Sequence, residues 1–242
     1  MRLAHCTWLE VETYLRHADG ILIPIGSTEQ HGPNGLVGTD TICPELIAEN
    51  VGKRLDLMVA PAIAYGMSQH HMGFPGTISL RPTTLIKLVI DIVRSLHVHG
   101  FRNFFFLNGH GGNIAPVTSA FGELHATLPS SGMRFLLCNW WLLPEVKAWV
   151  NKQYGEDEGM HATISEVSLT QYAIPHTAKH YPCTPERAPT GPIHDASDFR
   201  RRFPDGRIGS APQRANADDG KKICELAVSA VCRQYLEFIK TS

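Results

Sequence analysis

The sequence predicts an α/β protein with a mainly parallel sheet covered by helices, on three observations. Short apolar runs at 21–25, 57–64, 101–107 and 133–139 have the length of strands. Segments of helical periodicity separate most of them, and that alternation calls for parallel strands joined by helical crossovers. Two of the runs break into glycine-rich loops carrying histidine and carboxylate side chains, at the strand ends where open α/β sheets bind ligands. At 242 residues the chain suits one domain, 1–242.

Trp8 to Ala18 reads as a short helix ending near Asp19-Gly20, which launches the strand Ile21 to Ile25. That strand opens into a loop held open by Gly26, Gly32, Gly35 and Gly38 and carrying Glu29, His31 and Asp40. Two carboxylates and an imidazole leaving one strand end suit a borderline divalent cation such as zinc or manganese. Thr41 to Leu55 has helical spacing, with Pro44 tolerable in its first turn. Asp40 then stands at a helix start, where a capping role competes with metal binding.

Leu57 to Ala64 reads as a strand leading to a loop with adjacent His70 and His71, and Phe74 to Leu80 as an edge hairpin. Thr83 to His99 is the clearest helix, with Leu85, Leu88, Val89, Ile92 and Leu96 in one stripe and Gly100 as its stop. It delivers the chain to Phe101 to Leu107, which opens into Asn108-Gly109-His110-Gly111-Gly112-Asn113 before a helical pattern over 113–127 and a strand over 133–139. From Trp140 the pattern loosens, and Leu142 to Met160 is expected to form a lid or an oligomer contact. Thr163 and Glu166 have the spacing of a capping box opening a helix to Ala173. His161 lies five residues before Glu166, roughly 140° away on a regular helix. The two meet at one site only if His161 is on the loop before that helix.

His176 to Ala217, rich in Pro, Arg and Gly, is expected to give no core and to wrap the surface or reach a neighbouring subunit. Asp218 to Ile239 closes the chain with a helix whose Ile223, Leu226, Ala227, Ala230, Val231 and Leu236 share one side. A formal net charge of −1 gives nucleic acid or an anionic membrane no excess charge to hold, so a small neutral or zwitterionic substrate fits better. No apolar run reaches the length of a membrane span, and Met1-Arg2-Leu3-Ala4-His5-Cys6 lacks the apolar core of a signal peptide, so a cytoplasmic protein is expected. The six cysteines form no Cys-x-x-Cys pair and read as buried free thiols.

Imidazoles and carboxylates without a thiolate describe a hydrolytic rather than a structural metal site. With Asp40 bridging two cations, Glu29 and His110 complete one set of ligands and His31 belongs to the other. Water held between two such cations loses a proton near neutral pH and can attack an amide carbonyl. The departing nitrogen needs a general acid, and His161 is the candidate. Ser68, His71 and Gly111, on the flanking loops, are the expected substrate contacts.

Gly26-Ser27-Thr28-Glu29-Gln30-His31-Gly32-Pro33, Gly38-Thr39-Asp40, Phe74-Pro75-Gly76-Thr77, Asn108-Gly109-His110-Gly111-Gly112-Asn113 and His161-Ala162 followed by Glu166 resemble the creatininase (creatinine amidohydrolase) family. Asp205-Gly206-Arg207-Ile208-Gly209 extends the resemblance over most of the chain. It implies a three-layer α/β/α fold, two divalent metals (Zn or Mn, with Fe possible), hydrolysis of a C–N bond in a cyclic or linear amide, and often a hexamer. It assigns metal binding to Glu29, His31, Asp40 and His110, and catalysis near His161.

The chain departs from the creatinine-hydrolysing pattern. Gly112 stands where those members carry a metal-binding glutamate, and resemblance to members with the glycine-rich loop gives that role to Glu166. Asp157 replaces a tryptophan, leaving Trp140 or Trp141 to supply an aromatic wall. Asn34-Gly35 replaces His-Leu, and His70-His71 replaces Glu-His. Within the family, a formamide deformylase of a ribosylaminopyrimidine intermediate is the alternative, with Arg187, Arg200, Arg201, Arg202 and Arg207 as possible phosphate contacts. Outside it stands a non-catalytic nucleotide-binding module built on the Asn108 loop. That loop lacks the Gly-x-Gly-x-x-Gly pattern, because position 114 is Ile.

Overall fold

The structure, a computed structural model, describes residues 1–240. Helix α1 (Trp8–Leu15) opens on a capping box between Thr7 and Glu10. The chain then runs through β1 (Gly20–Ile25), α2 (Thr39–Leu55), β2 (Met58–Val59), α3 (Pro82–His99), β3 (Asn103–Asn108), α4 (Ile114–Thr127) and β4 (Arg134–Asn139). The four strands are parallel, in the order β2-β1-β3-β4. After them come α5 (Pro144–Tyr154), α6 (Ile164–Ala173), α7 (Ala196–Arg202) and α8 (Ala217–Lys240).

Both central strands are buried along their whole length, which is why they read as continuous apolar runs rather than alternating ones. Alternate residues serve opposite layers. Ile21, Ile23, Ile25, Phe104 and Phe106 pack with α3 and α4, whereas Leu22, Phe105 and Leu107 pack with α2, α6 and α8. The result is a three-layer α/β/α architecture. Among the described residues no helix is long and apolar enough to cross a membrane.

Several sequence expectations change. The second strand shrinks to Met58–Val59, followed by a lone bridge from Ile25 to Ile63, because Pro61 has no N–H to give the ladder. Phe74 to Leu80 is not a hairpin and contributes one antiparallel bridge, Thr28 to Ile78. The stretch 142–160, where the pattern loosens in sequence, carries a regular helix: α5 starts at Pro144, a favourable first helical residue, and buries Val146, Val150 and Tyr154 in the main core. In α8, Tyr235 is buried and Leu236 is 40% exposed, so the last turn is rotated from the expected stripe.

The segment 176–217 also forms a small core of its own. Phe199 and Phe203 from α7 join Phe74 and Ile208, and Arg207 is fully buried. Its guanidinium pairs with Asp205 at 2.8 Å and donates to the carbonyls of Pro185, Glu186 and Ser210. One cation thus folds this irregular stretch around itself. Arg207→Met is therefore expected to lower the free energy of urea unfolding by at least about 2 kcal/mol, since buried acceptors lose their donor. A change within about 0.5 kcal/mol, as for ordinary surface substitutions, would contradict this role.

Candidate active site

Register brings the two ligand loops together. Ile25 at the end of β1 pairs with Asn108 at the end of β3, so Glu29, His31 and His110 all leave the carboxyl edge of the sheet. Asn108 accepts from the backbone N–H of His110 and donates to its carbonyl, which closes the β3 loop. Asn113 ties the same loop to Gly26 O and to the backbone of Met67. Close approach requires glycine at two points. A Cβ on Gly26 or Gly109 would strike the main chain of Asp40, and one on Gly109 would also lie 2.8 Å from Pro44.

Glu29, His31, Asp40, His110 and Glu166 form one cluster. Nε2 of His31 is 3.0 Å from Asp40 Oδ1 and 3.9 Å from Glu166 Oε2. Nδ1 of His110 is 3.0 Å from Asp40 Oδ2 and 3.4 Å from Glu29 Oε2. Asp40 thus sits between two donor sets, Glu29–Asp40–His110 and His31–Asp40–Glu166. It is the second residue of α2 and Gly38 is the cap, so the capping reading of Asp40 does not hold. Glu166 caps α6 and also reaches the cluster: Oε1 accepts from the Thr163 N–H at 2.5 Å in a capping box, while Oε2 faces His31 at 3.9 Å.

The outer nitrogens of the imidazoles are anchored to the main chain. Nδ1 of His31 lies 3.0 Å from Glu29 O, and Nε2 of His110 lies 2.9 Å from Met67 O. A carbonyl only accepts, so each of these nitrogens carries a proton, and the inner nitrogen, which faces the carboxylates, is the one whose lone pair a cation could take in exchange for a proton. Metal-binding histidines are held in just this way. Asp40 Oδ2 has no aligned donor among the described residues. Ligand atoms sharing an ion at about 2.0–2.2 Å stand about 3–3.5 Å apart, close to the spacings seen here. The donor set therefore fits divalent cations.

Electrostatics agrees. Burial pushes Glu29 up to about 7. Burial opposes charge on His31, but Asp40 and Glu166 outweigh it and raise the imidazole to about 10. Glu29 and Asp40 do the same for His110, against burial, to about 9. Burial also works to raise Asp40, yet the two imidazoles hold it below the usual carboxylate range. The buried carboxylates retain protons on their neighbours when no other cation is supplied.

His161 lies before α6, as its spacing required. It is bridged to Ile208 of the irregular segment and followed by Ala162 at φ 54°, the left-handed residue that turns the chain into the helix. Its Nε2 donates to Gln30 O at 2.7 Å, and its Nδ1 faces Glu29 Oε1 at 3.6 Å. Burial, reinforced by His31, holds its pKa well below the usual value, so the ring is neutral.

A cavity of about 520 Å³ opens over the cluster, walled by Trp140, Trp141, Leu142 and Met160. Both tryptophans offered as an aromatic wall line it. His71 and Gly111 line it too, but Ser68 does not. Ser68 is fully buried and gives its hydroxyl to Glu29, with Ser27 and His110 as its other neighbours, so it orients the carboxylate instead of meeting a ligand. Gly112 has no room for a glutamate, since a Cβ there would strike Met67 O and the His110 ring. The arginines suggested as phosphate contacts are engaged elsewhere: Arg187 with Glu156, Arg201 and Arg202 with Asp198, Arg207 with Asp205, and Arg200 over Phe74. Sequence reasoning missed Gln30 and Glu158. Glu158 lines the cavity and accepts from the backbone N–H and hydroxyl of Ser165; burial pushes it up to about 7.

A histidine–carboxylate centre at the carboxyl edge of an open parallel sheet defines a class, α/β proteins with a metal site of the hydrolytic kind. The chain belongs to the creatininase family, described as creatinine amidohydrolase, whose model matches residues 4–235. It is 28% identical over 240 residues to creatinine amidohydrolase of Pseudomonas putida, covering 93% of this chain and 92% of that one. It is 42% identical over 116 residues to the mycofactocin precursor peptide peptidase of Mycobacterium tuberculosis, a match covering 44% of this chain and 46% of the relative, less than half of either length. A crystal structure of creatininase superimposes with a TM-score of 0.86 at 25% identity, covering 98% of this chain and 97% of that one. Similar creatininase structures include a Zn–Zn form and a Mn form.

Cation binding must displace the protons held by His31 and His110. Apparent affinity for zinc or manganese is expected to rise with pH from 6 to beyond 9 (approximately the range set by these raised pKa values), and loading to release protons, as read by calorimetry in buffers of different ionisation enthalpy. Affinity that does not change with pH would contradict it.

Proposed function

We propose that the protein is a metal-dependent amidohydrolase that opens a C–N bond of a small cyclic or linear amide. The observation that carries this is the pair of donor sets sharing Asp40, each with one imidazole anchored outward to a backbone carbonyl. Glu29, Asp40 and His110 would hold one divalent cation, and His31, Asp40 and Glu166 a second. Such cations supply Lewis acidity and lower the pKa of bound water.

His161 is the proton carrier. Its neutral Nδ1 faces the cluster and the cavity, so it takes a proton as water attacks and delivers it to the departing nitrogen. Gln30 O keeps the other nitrogen protonated and so fixes which atom of the ring does this. Trp140 and Trp141 wall the space in which the amide would lie. Creatinine is the family's label. A cavity of about 520 Å³ is within the range that holds drug-sized ligands, so larger amides also fit.

Metal-replete protein assayed on creatinine, on formamides of aminopyrimidines and on small peptide amides is expected to hydrolyse the C–N bond of at least one, read as the ring-opened acid for a cyclic amide and as released amine for a linear one. No turnover of any amide would overturn the reading. His161→Asn is expected to lower kcat by about 10²–10⁴-fold with metal content unchanged; loss of metal would make His161 a ligand instead. Glu166→Gln keeps a capping box, since glutamine serves there as well, so unfolding stability should hold while bound metal falls from two ions towards one. Two tightly held ions in that variant would exclude Glu166 as a ligand.

A further inference from the structure

We propose that the Gln30 side chain is a positioning residue that selects the tautomer of His71 and, through it, the N–H that faces Glu29. Gln30 is buried beneath the cluster. Its Oε1 accepts from the Gly32 N–H at 2.9 Å, which fixes the orientation of the amide. Flipping the amide would set its NH₂ against that N–H and its oxygen against Gly206 O, a donor–donor and an acceptor–acceptor conflict.

Nε2 of Gln30 then has three neighbours within reach: His71 Nδ1 at 2.9 Å, His161 Nε2 at 3.0 Å and Gly206 O at 2.9 Å. It has two hydrogens. His161 Nε2 is already a donor to Gln30 O, so it cannot accept. The hydrogens therefore go to Gly206 O and to His71 Nδ1. His71 must present a bare Nδ1 and carry its proton on Nε2, which lies 3.3 Å from Glu29 Oε1. Ser68 secures the other oxygen of that carboxylate. Glu29 thus faces the His71 N–H, oriented through Gln30, at one oxygen and accepts from Ser68 at the other. Gly206 allows the approach, because a Cβ there would strike the Gln30 amide.

The kinetic part of this inference rests on the proposed amidohydrolase activity; the spectroscopic part does not. In zinc-loaded protein with ¹⁵N-labelled histidine, the His71 resonances, assigned by their loss in His71→Asn, are expected to show an unprotonated Nδ1 and a protonated Nε2. Gln30→Glu replaces the donor by an acceptor and should move the His71 proton to Nδ1. Gln30→Met, of similar volume, removes the donor and should leave His71 a mixture of tautomers. Either variant should lower kcat by about 10–100-fold with KM within about twofold. A wild-type His71 protonated on Nδ1 overturns the proposal outright, whatever the variants do. So does a folded Gln30→Glu with unchanged His71 resonances. If the tautomer shifts but no amide is turned over by any form, the positioning stands and the activity fails.

Discussion

The centre depends on three main-chain carbonyls. Glu29 O, Met67 O and Gln30 O each accept the outer N–H of one imidazole, from His31, His110 and His161 in turn. A single hydrogen bond of this kind contributes about 1 kcal/mol net, which is little for stability. Its larger effect is on chemistry, since it decides which nitrogen keeps a lone pair and where that lone pair points. Two of the three carbonyls come from consecutive residues of the β1 loop. The same short stretch that supplies Glu29 and His31 as side chains therefore also aims His31 and His161 with its backbone.

This arrangement is costly without a cation. Three carboxylates are gathered at one sheet edge in a buried space, and burial alone disfavours their charge. Protons on His31 and His110 offset part of that repulsion. The two apolar layers on either side of the sheet supply the stability that lets the edge stay so polar. Arg207, buried in the segment that follows α6, does for the opposite wall what the sheet does for the floor: it fixes Ile208, which in turn bridges to His161.

Much of this was legible in the sequence because it is local. Apolar runs, helical stripes and the glycine-rich strand ends of β1 and β3 depend on neighbours a few residues away, and the strongest ligand candidates lie on those ends. What escaped depends on distant partners. Helix α5 looked irregular because its buried face is short and begins at a proline. The segment 176–217 looked coreless because its organiser is a charged residue, and burial of an arginine cannot be anticipated without the carbonyls that surround it. Ser68, expected to meet a ligand, turns its hydroxyl towards Glu29 instead, a partner 39 residues away in the chain. The competition at Glu166 could not be decided in sequence, since one oxygen of its carboxylate caps α6 and the other is left facing His31.

The glycine contacts against Asp40 have a consequence for divergence. Gly26 and Gly109 press the ends of two adjacent strands onto one stretch of main chain, so no larger residue enters at either place without prising the floor of the cavity apart. On the cavity walls, Leu142, Met160 and Ile193 are exposed rather than pressed against main chain. Novelty in what the protein acts on is thereby steered to its upper rim, where a residue can be exchanged while the inherited chemistry beneath stays intact.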